Sequence, residues 1–180
     1  TPIPVVSYLR SNRSSSFPEA SYGYCAAKQE KYFGFKLHMA VTPSGIPTNF
    51  DLTAANISDG KMTEELIELY EFLVAIGDKG YLDRIKQEEL ERQNKKLITP
   101  YRKNQNKKNS GFEQKLLKLR RRIETVFSQF KEQMHLGKTR AKSLIGLITR
   151  VLGIITSFTL GMYINSLRGD KLLKIKGLLA

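Results

Sequence analysis

Two acidic side chains in this sequence have the types and setting to do chemistry. Asp78 follows the apolar run Phe72-Leu-Val-Ala-Ile-Gly77 and opens the turn Lys79-Gly80-Tyr81. Glu124 lies inside Arg120-Arg-Arg-Ile-Glu-Thr-Val-Phe127, an acid on a basic amphipathic helix. An acid just past a buried strand and an acid on a helix can meet in the fold and share a divalent ion. Mg²⁺ and Mn²⁺ prefer carboxylate oxygens. Two such ions about 4 Å apart activate the attacking oxygen and stabilise the leaving one in phosphodiester displacement. Each acid also has an ordinary reading: an Asx turn for Asp78, an i,i+4 ion pair with Arg120 for Glu124. The chemistry is argued from the two together.

Other site chemistries find less support. The histidines, His38 and His135, are far apart, and there is one cysteine, Cys25, so no zinc spacing exists. No Gly-rich loop ends in Lys-Ser/Thr, which argues against nucleotide hydrolysis. His38 would project from a strand and either approach the acids or serve as a sheet residue. Asp59 and Asn56 read as helix caps, with Asp59 a possible accessory to the site. Lys79, Arg102, Lys103, Lys107 and Lys108, with Arg120 and Arg121 on the helix, are candidate phosphate contacts; a solvated basic surface is the competing reading.

The charge supports a polyanionic partner. The net charge of +13 is unevenly placed: residues 1–83 hold 7 basic and 10 acidic side chains, residues 84–180 hold 23 and 7. A basic half attracts nucleic acid because each phosphate contact releases counterions. Membrane-surface and ribosome binding are the alternatives on charge alone. A hydrophobic share of 41% and a length of 180 residues suit one domain with a real core. A lone cysteine forms no disulfide within the chain and fits a reducing compartment. No stretch has the form of a signal peptide.

The elements that must position the acids follow from periodicity. Residues 1–6 read as the tail of a strand, on an edge because Pro2 and Pro4 cannot donate ladder hydrogen bonds. Residues 7–22 read as a loop. Residues 32–41 and 48–53 alternate and should form an antiparallel hairpin around Pro43-Ser-Gly45. A helix is expected at about 60–72, a buried strand at 73–77, a polar helix at 83–94 and a short strand at 96–99. The basic stretch 101–111 precedes a long helix at about 112–135 and a last one at about 143–167. Residues 151–164 are uncharged but number only 14, short of the about 20 a membrane span needs, so a buried core helix is expected. The order suggests one α/β domain over residues 1–180 with a mixed sheet.

Five short pieces resemble the catalytic domain of a bacterial insertion-sequence transposase of the DDE type. They are Gly23-Tyr-Cys-Ala-Ala-Lys28, Phe33-Gly-Phe-Lys-Leu-His38, Leu52-Thr-Ala-Ala-Asn-Ile-Ser-Asp59, Gly77-Asp-Lys-Gly-Tyr81 and Arg122-Ile-Glu-Thr-Val-Phe127. The resemblance spans nearly the whole chain. It implies a ribonuclease-H-like mixed sheet flanked by helices, with a long C-terminal helical pair. It also implies an Asp-Asp-Glu triad binding Mg²⁺ or Mn²⁺ and cleavage and strand transfer at the element ends. The second Asp carries over to Asp78 and the Glu to Glu124. The first would fall just upstream of Thr1, so the chain is expected to lack the start of its first strand and the family's N-terminal DNA-recognition region, with activity impaired. Double-stranded DNA, a homo-oligomer on DNA, a cytoplasmic, nucleoid-associated location and no membrane complete the expectation. The rival readings are a non-enzymatic nucleic-acid-binding remnant and a nuclease of the same fold.

Overall fold

A computed structural model of the protein describes residues 1–13, 15–67, 70, 73–81, 84–101 and 108–178. Its organising element is β3, the long strand Glu30–Val41. Alternation puts Phe35, Leu37 and Met39 into the core, while Lys36 and His38 share the opposite side of the pleat. β3 pairs antiparallel with β1 (Pro2–Val6), β2 (Ser21–Cys25) and β4 (Pro47–Ala54). Phe33 and Gly34 face both β1 and β2, and Phe35 and Lys36 face both β1 and β4. β1 therefore lies along one edge of β3, and β2 and β4 follow one another along the other. Among the described residues β1 pairs with β3 alone, an edge position that suits its prolines. Gly34 permits the close approach of β1, because a Cβ there would stand 2.2 Å from the Ile3 carbonyl oxygen.

The hairpin of β3 and β4 is as the alternation predicts. The stretch 7–22 differs: it holds a 3₁₀ turn at Tyr8–Arg13 and runs into β2. After β4 come a 3₁₀ turn at Asp59–Met62 and the short helix α1 (Thr63–Ile67). β5 (Leu73–Ile76) and β6 (Lys95–Ile98) pair in parallel, connected through α2 (Arg84–Arg92). Both strand senses are present, but among the described residues they form two separate sheets, not one mixed sheet. A smaller core of Met62, Leu66, Ile67, Leu90 and Leu97 lies under the parallel pair.

The helix expected at 112–135 is interrupted. α3 (Gly111–Leu117) starts on a capping box in which Ser110 and Glu113 satisfy each other's backbone N–H groups. A 3₁₀ turn at Lys118–Arg120 follows, and α4 (Arg121–Glu132) continues the chain. α4 buries Val126 and Phe130 against the main core with Ile3, Leu37, Leu147 and Phe158. The Phe130 and Phe158 rings meet edge to face at 5.0 Å.

Phe158 belongs to α5 (Leu144–Leu167), capped by Ser143 accepting from the Gly146 N–H. The expectation of a buried helix holds for one side only. Leu147, Val151, Ile155, Phe158 and Met162 are buried, while Ile145, Leu152, Leu160, Tyr163 and Leu167 on the other side are exposed. By length and composition this one helix could cross a membrane.

Candidate functional site

Asp78 stands just beyond the carboxyl end of β5, where open α/β folds place their ligands. The last rung of the parallel pair is the Gly77 N–H donating to the Ile98 carbonyl at 3.0 Å. The chain then tightens into a 3₁₀ turn at Lys79–Tyr81. Asp78 holds that turn twice: its carboxylate accepts from the Lys79 N–H at 2.7 Å, and its carbonyl accepts from the Tyr81 N–H at 3.0 Å. The side-chain bond goes to the next residue and not two residues on, so it is not the expected Asx turn, and with 64% of the Asp78 side chain exposed the carboxylate is open to a ligand.

Glu124 approaches from α4. One nitrogen, Arg120 Nη2, lies 3.4 Å from Glu124 Oε1 and 3.3 Å from Asp78 Oδ1. The i,i+4 pair expected within the helix is therefore present, and the same guanidinium reaches across to the strand end. Both acids line one cavity of about 280 Å³, together with Thr1, His38 and Asp59. Helix α4 supplies Ile123 and Phe127 to its wall.

His38 and Asp59 stand on the β3 side of this cavity. His38 is buried. Its Nε2 is 3.0 Å from Thr53 Oγ1 and its Nδ1 is 3.3 Å from the Tyr81 hydroxyl. Burial, with the nearby Thr1 amine next in size, pulls its pKa from 6.5 down to about 4, against the opposing pull of Asp59. His38 is a neutral imidazole that ties β3 to the turn carrying Asp78. Burial also pushes the Tyr81 hydroxyl well above its ordinary range, so it remains protonated. Asp59 Oδ1 is 3.3 Å from Lys36 Nζ and 3.9 Å from His38 Nδ1, and Lys36 donates to the Ile57 carbonyl at 2.8 Å. Ser58, not Asp59, is the N-cap of this turn, without a side-chain cap bond; Asp59 pairs with Lys36 and packs on Gly80. The sequence reading missed Lys36 and Tyr81 as site residues, although Lys36 shares strand parity with His38.

The candidate phosphate contacts divide. Lys79, Lys108 and Arg121 are exposed. Arg120 is engaged with the two acids. Arg102, Lys103 and Lys107 lie outside the described residues. Asn109 anchors the far end of that basic stretch by donating to the Thr99 carbonyl at 3.1 Å, and Lys96 pairs with Glu113 at 3.1 Å.

Among the described residues no group of three or more His, Cys, Asp or Glu is placed to hold a metal ion. Neither the curated proteins nor the solved structures compared with this chain match it. A family model for the transposase DDE domain matches residues 1–160. With that match spanning most of its length, the chain belongs to the transposase DDE domain family.

Proposed function

We propose that this chain is the catalytic region of an insertion-sequence transposase that cleaves and joins DNA phosphodiesters, with Asp78 and Glu124 as metal ligands. The family itself implies DNA as substrate, nucleotidyl transfer as the reaction and divalent ions in general as cofactors. The observation that carries the finer reading is that two acids distant in sequence line one cavity and contact one guanidinium nitrogen.

The donor set suits Mg²⁺ or Mn²⁺. Such ions keep several waters and are held by one or two carboxylates plus substrate phosphates. Bound there, the metal would supply Lewis-acid activation of the attacking and leaving oxygens. The chain's own part is positioning. The turn fixes Asp78 at the strand end, and α4 fixes Glu124 opposite. Lys79, Lys108 and Arg121 offer positive charge to the backbone of duplex DNA. Neutral His38, with Lys36 and Asp59, braces the Asp78 turn from β3. The same reading makes the protein cytoplasmic and nucleoid-associated, and a homo-oligomer on DNA.

One rival is DNA binding without cleavage, carried by the basic second half of the chain. The test is Mg²⁺- or Mn²⁺-dependent nicking of duplex DNA carrying the element's ends by the full-length gene product, with its Asp78→Asn and Glu124→Gln variants beside that parent. Cleavage abolished in both variants, with DNA binding kept, supports the proposal. Full cleavage by Glu124→Gln shows that the wrong glutamate is named. Metal-independent DNA binding with no cleavage under any condition supports the rival.

A further inference from the structure

We infer that Arg120 is the resident counter-ion of the Asp78–Glu124 pair and that a divalent ion must displace it to bind. The inference rests on the reading of these acids as metal ligands. The guanidinium is permanently charged and acts as donor only. A single nitrogen of it sits 3.3 Å from one carboxylate and 3.4 Å from the other. A divalent ion held by these two carboxylates would compete with the guanidinium for the same oxygens. A divalent ion there would face a full positive charge at contact distance, so the two occupants are mutually exclusive.

The sequence shows how the fold installs this occupant. Arg120 ends the 3₁₀ turn that breaks the long helix, one residue before α4 begins. It is four residues ahead of Glu124, the spacing at which two helical side chains meet. It is also the least exposed of the three partners, at 27% against 64% for Asp78 and 62% for Glu124. Of the three consecutive arginines, Arg121 and Arg122 are more exposed than Arg120.

Two consequences follow. Without metal, the guanidinium relieves repulsion between the acids and holds them facing one another. With metal, Arg120 is released as a free cation at the cavity mouth, where a DNA phosphate would meet it. Metal and DNA would then favour each other's binding through one side chain, a coupling that thermodynamics makes reciprocal.

The test is direct Mn²⁺ binding to the 180-residue chain without DNA, read from the free-ion paramagnetic resonance signal. The panel is the parent, Arg120→Gln, Arg120→Lys and Asp78→Asn. Exposed ion pairs are weak, so removing two of them should tighten Mn²⁺ binding by about three- to ten-fold in Arg120→Gln. Arg120→Lys keeps the charge and should stay close to the parent. Equal or weaker binding by Arg120→Gln, with binding still lost in Asp78→Asn, overturns the counter-ion role and leaves the acids as ligands. Binding by neither the parent nor Arg120→Gln overturns the ligand reading, and this inference with it. Tighter binding in Arg120→Gln that persists in Asp78→Asn places the ion elsewhere and overturns both.

Discussion

Asp59 and Gly80 pack so closely that a Cβ on Gly80 would stand 2.8 Å from Asp59 Oδ2. The contact joins the turn after β5 to the turn after β4. Gly80 is in the segment that presents Asp78, and Asp59 is held through Lys36 to β3. The spacing of the two sheets at the cavity is set in part by this fit.

Gly80→Ala should therefore cost no more than about 1 kcal/mol, because Gly80 is exposed and the atom in the way is the far end of the Asp59 side chain, which can turn aside. Urea unfolding measures it. The clash is with a side chain, so the double variant Gly80→Ala, Asp59→Ala should lose less than the sum of the singles. Simple additivity of the two would show that the residues do not meet.

The pH dependence of stability should carry the mark of His38. Its pKa is lowered from 6.5 to about 4 in the fold. Between those values the unfolded chain takes up a proton that the folded chain refuses. Stability from this group is thus complete above about pH 6.5 and is lost as the pH falls towards 4. The limiting slope is about 1.4 kcal/mol per pH unit. The Thr1 amine, Asp59, Lys36 and Asp51 act on this imidazole, and the amine itself titrates at about 5, so the clean measure is a difference. The gap in unfolding free energy between the parent and His38→Gln should shrink steadily from pH 7 to pH 4. A gap independent of pH would mean that His38 titrates normally.

Some of this architecture is legible in the residues and some is not, for physical reasons. β3 and β4 announce themselves because apolar and polar residues alternate along them and a turn of Pro43-Ser-Gly45 joins them. β2 is hidden because its tyrosines, Tyr22 and Tyr24, point outward, inverting the expected pattern. Its central Gly23 is there for a contact made far away: a Cβ would meet the Tyr32 ring and Ala55 at 2.8 Å. Asp78 is readable because an apolar run followed by an acid and a turn is a local signal. Glu124 is readable mainly through the family resemblance and its basic helix. The bridge by Arg120 is not, because helical spacing reveals Arg120 beside Glu124 but nothing local brings either to Asp78. The interruption of the long helix at 118–120 is equally silent, since its apolar spacing continues through the break.

DNA binding should depend on the exposed basic residues in a way that salt reveals. Lys79, Lys108 and Arg121 are exposed. If each neutralises one phosphate, each replacement by Ala should lower the slope of log affinity against log salt by about 0.9. The loss should be similar for unrelated duplex sequences, because phosphate contacts position the protein without reading bases. Binding by the triple variant that keeps the parent's slope would place the DNA on another surface. The readout is a filter or fluorescence titration at several salt concentrations.

The two sides of α5 should respond oppositely to the same kind of substitution. Phe158 is fully buried and stacks edge to face on Phe130. Leu160, two residues later, is 56% exposed. Phe158→Ala removes a large side chain from a packed core and leaves a cavity, so it should cost about 3–5 kcal/mol. Leu160→Ala removes surface that water already reaches and gains helix propensity, so in dilute buffer it should change stability by no more than about 0.5 kcal/mol. Two threonines of this helix bond to its own backbone: Thr149 and Thr159 donate to the carbonyls of Ile145 and Ile155, each at 2.9 Å. The outer side thus carries large apolar side chains without being core. Thermal or urea unfolding at low protein concentration separates the cases. A loss at Leu160 comparable to that at Phe158 would show that the outer side of α5 is covered in solution, and repetition over a range of protein concentrations would reveal whether a second copy covers it.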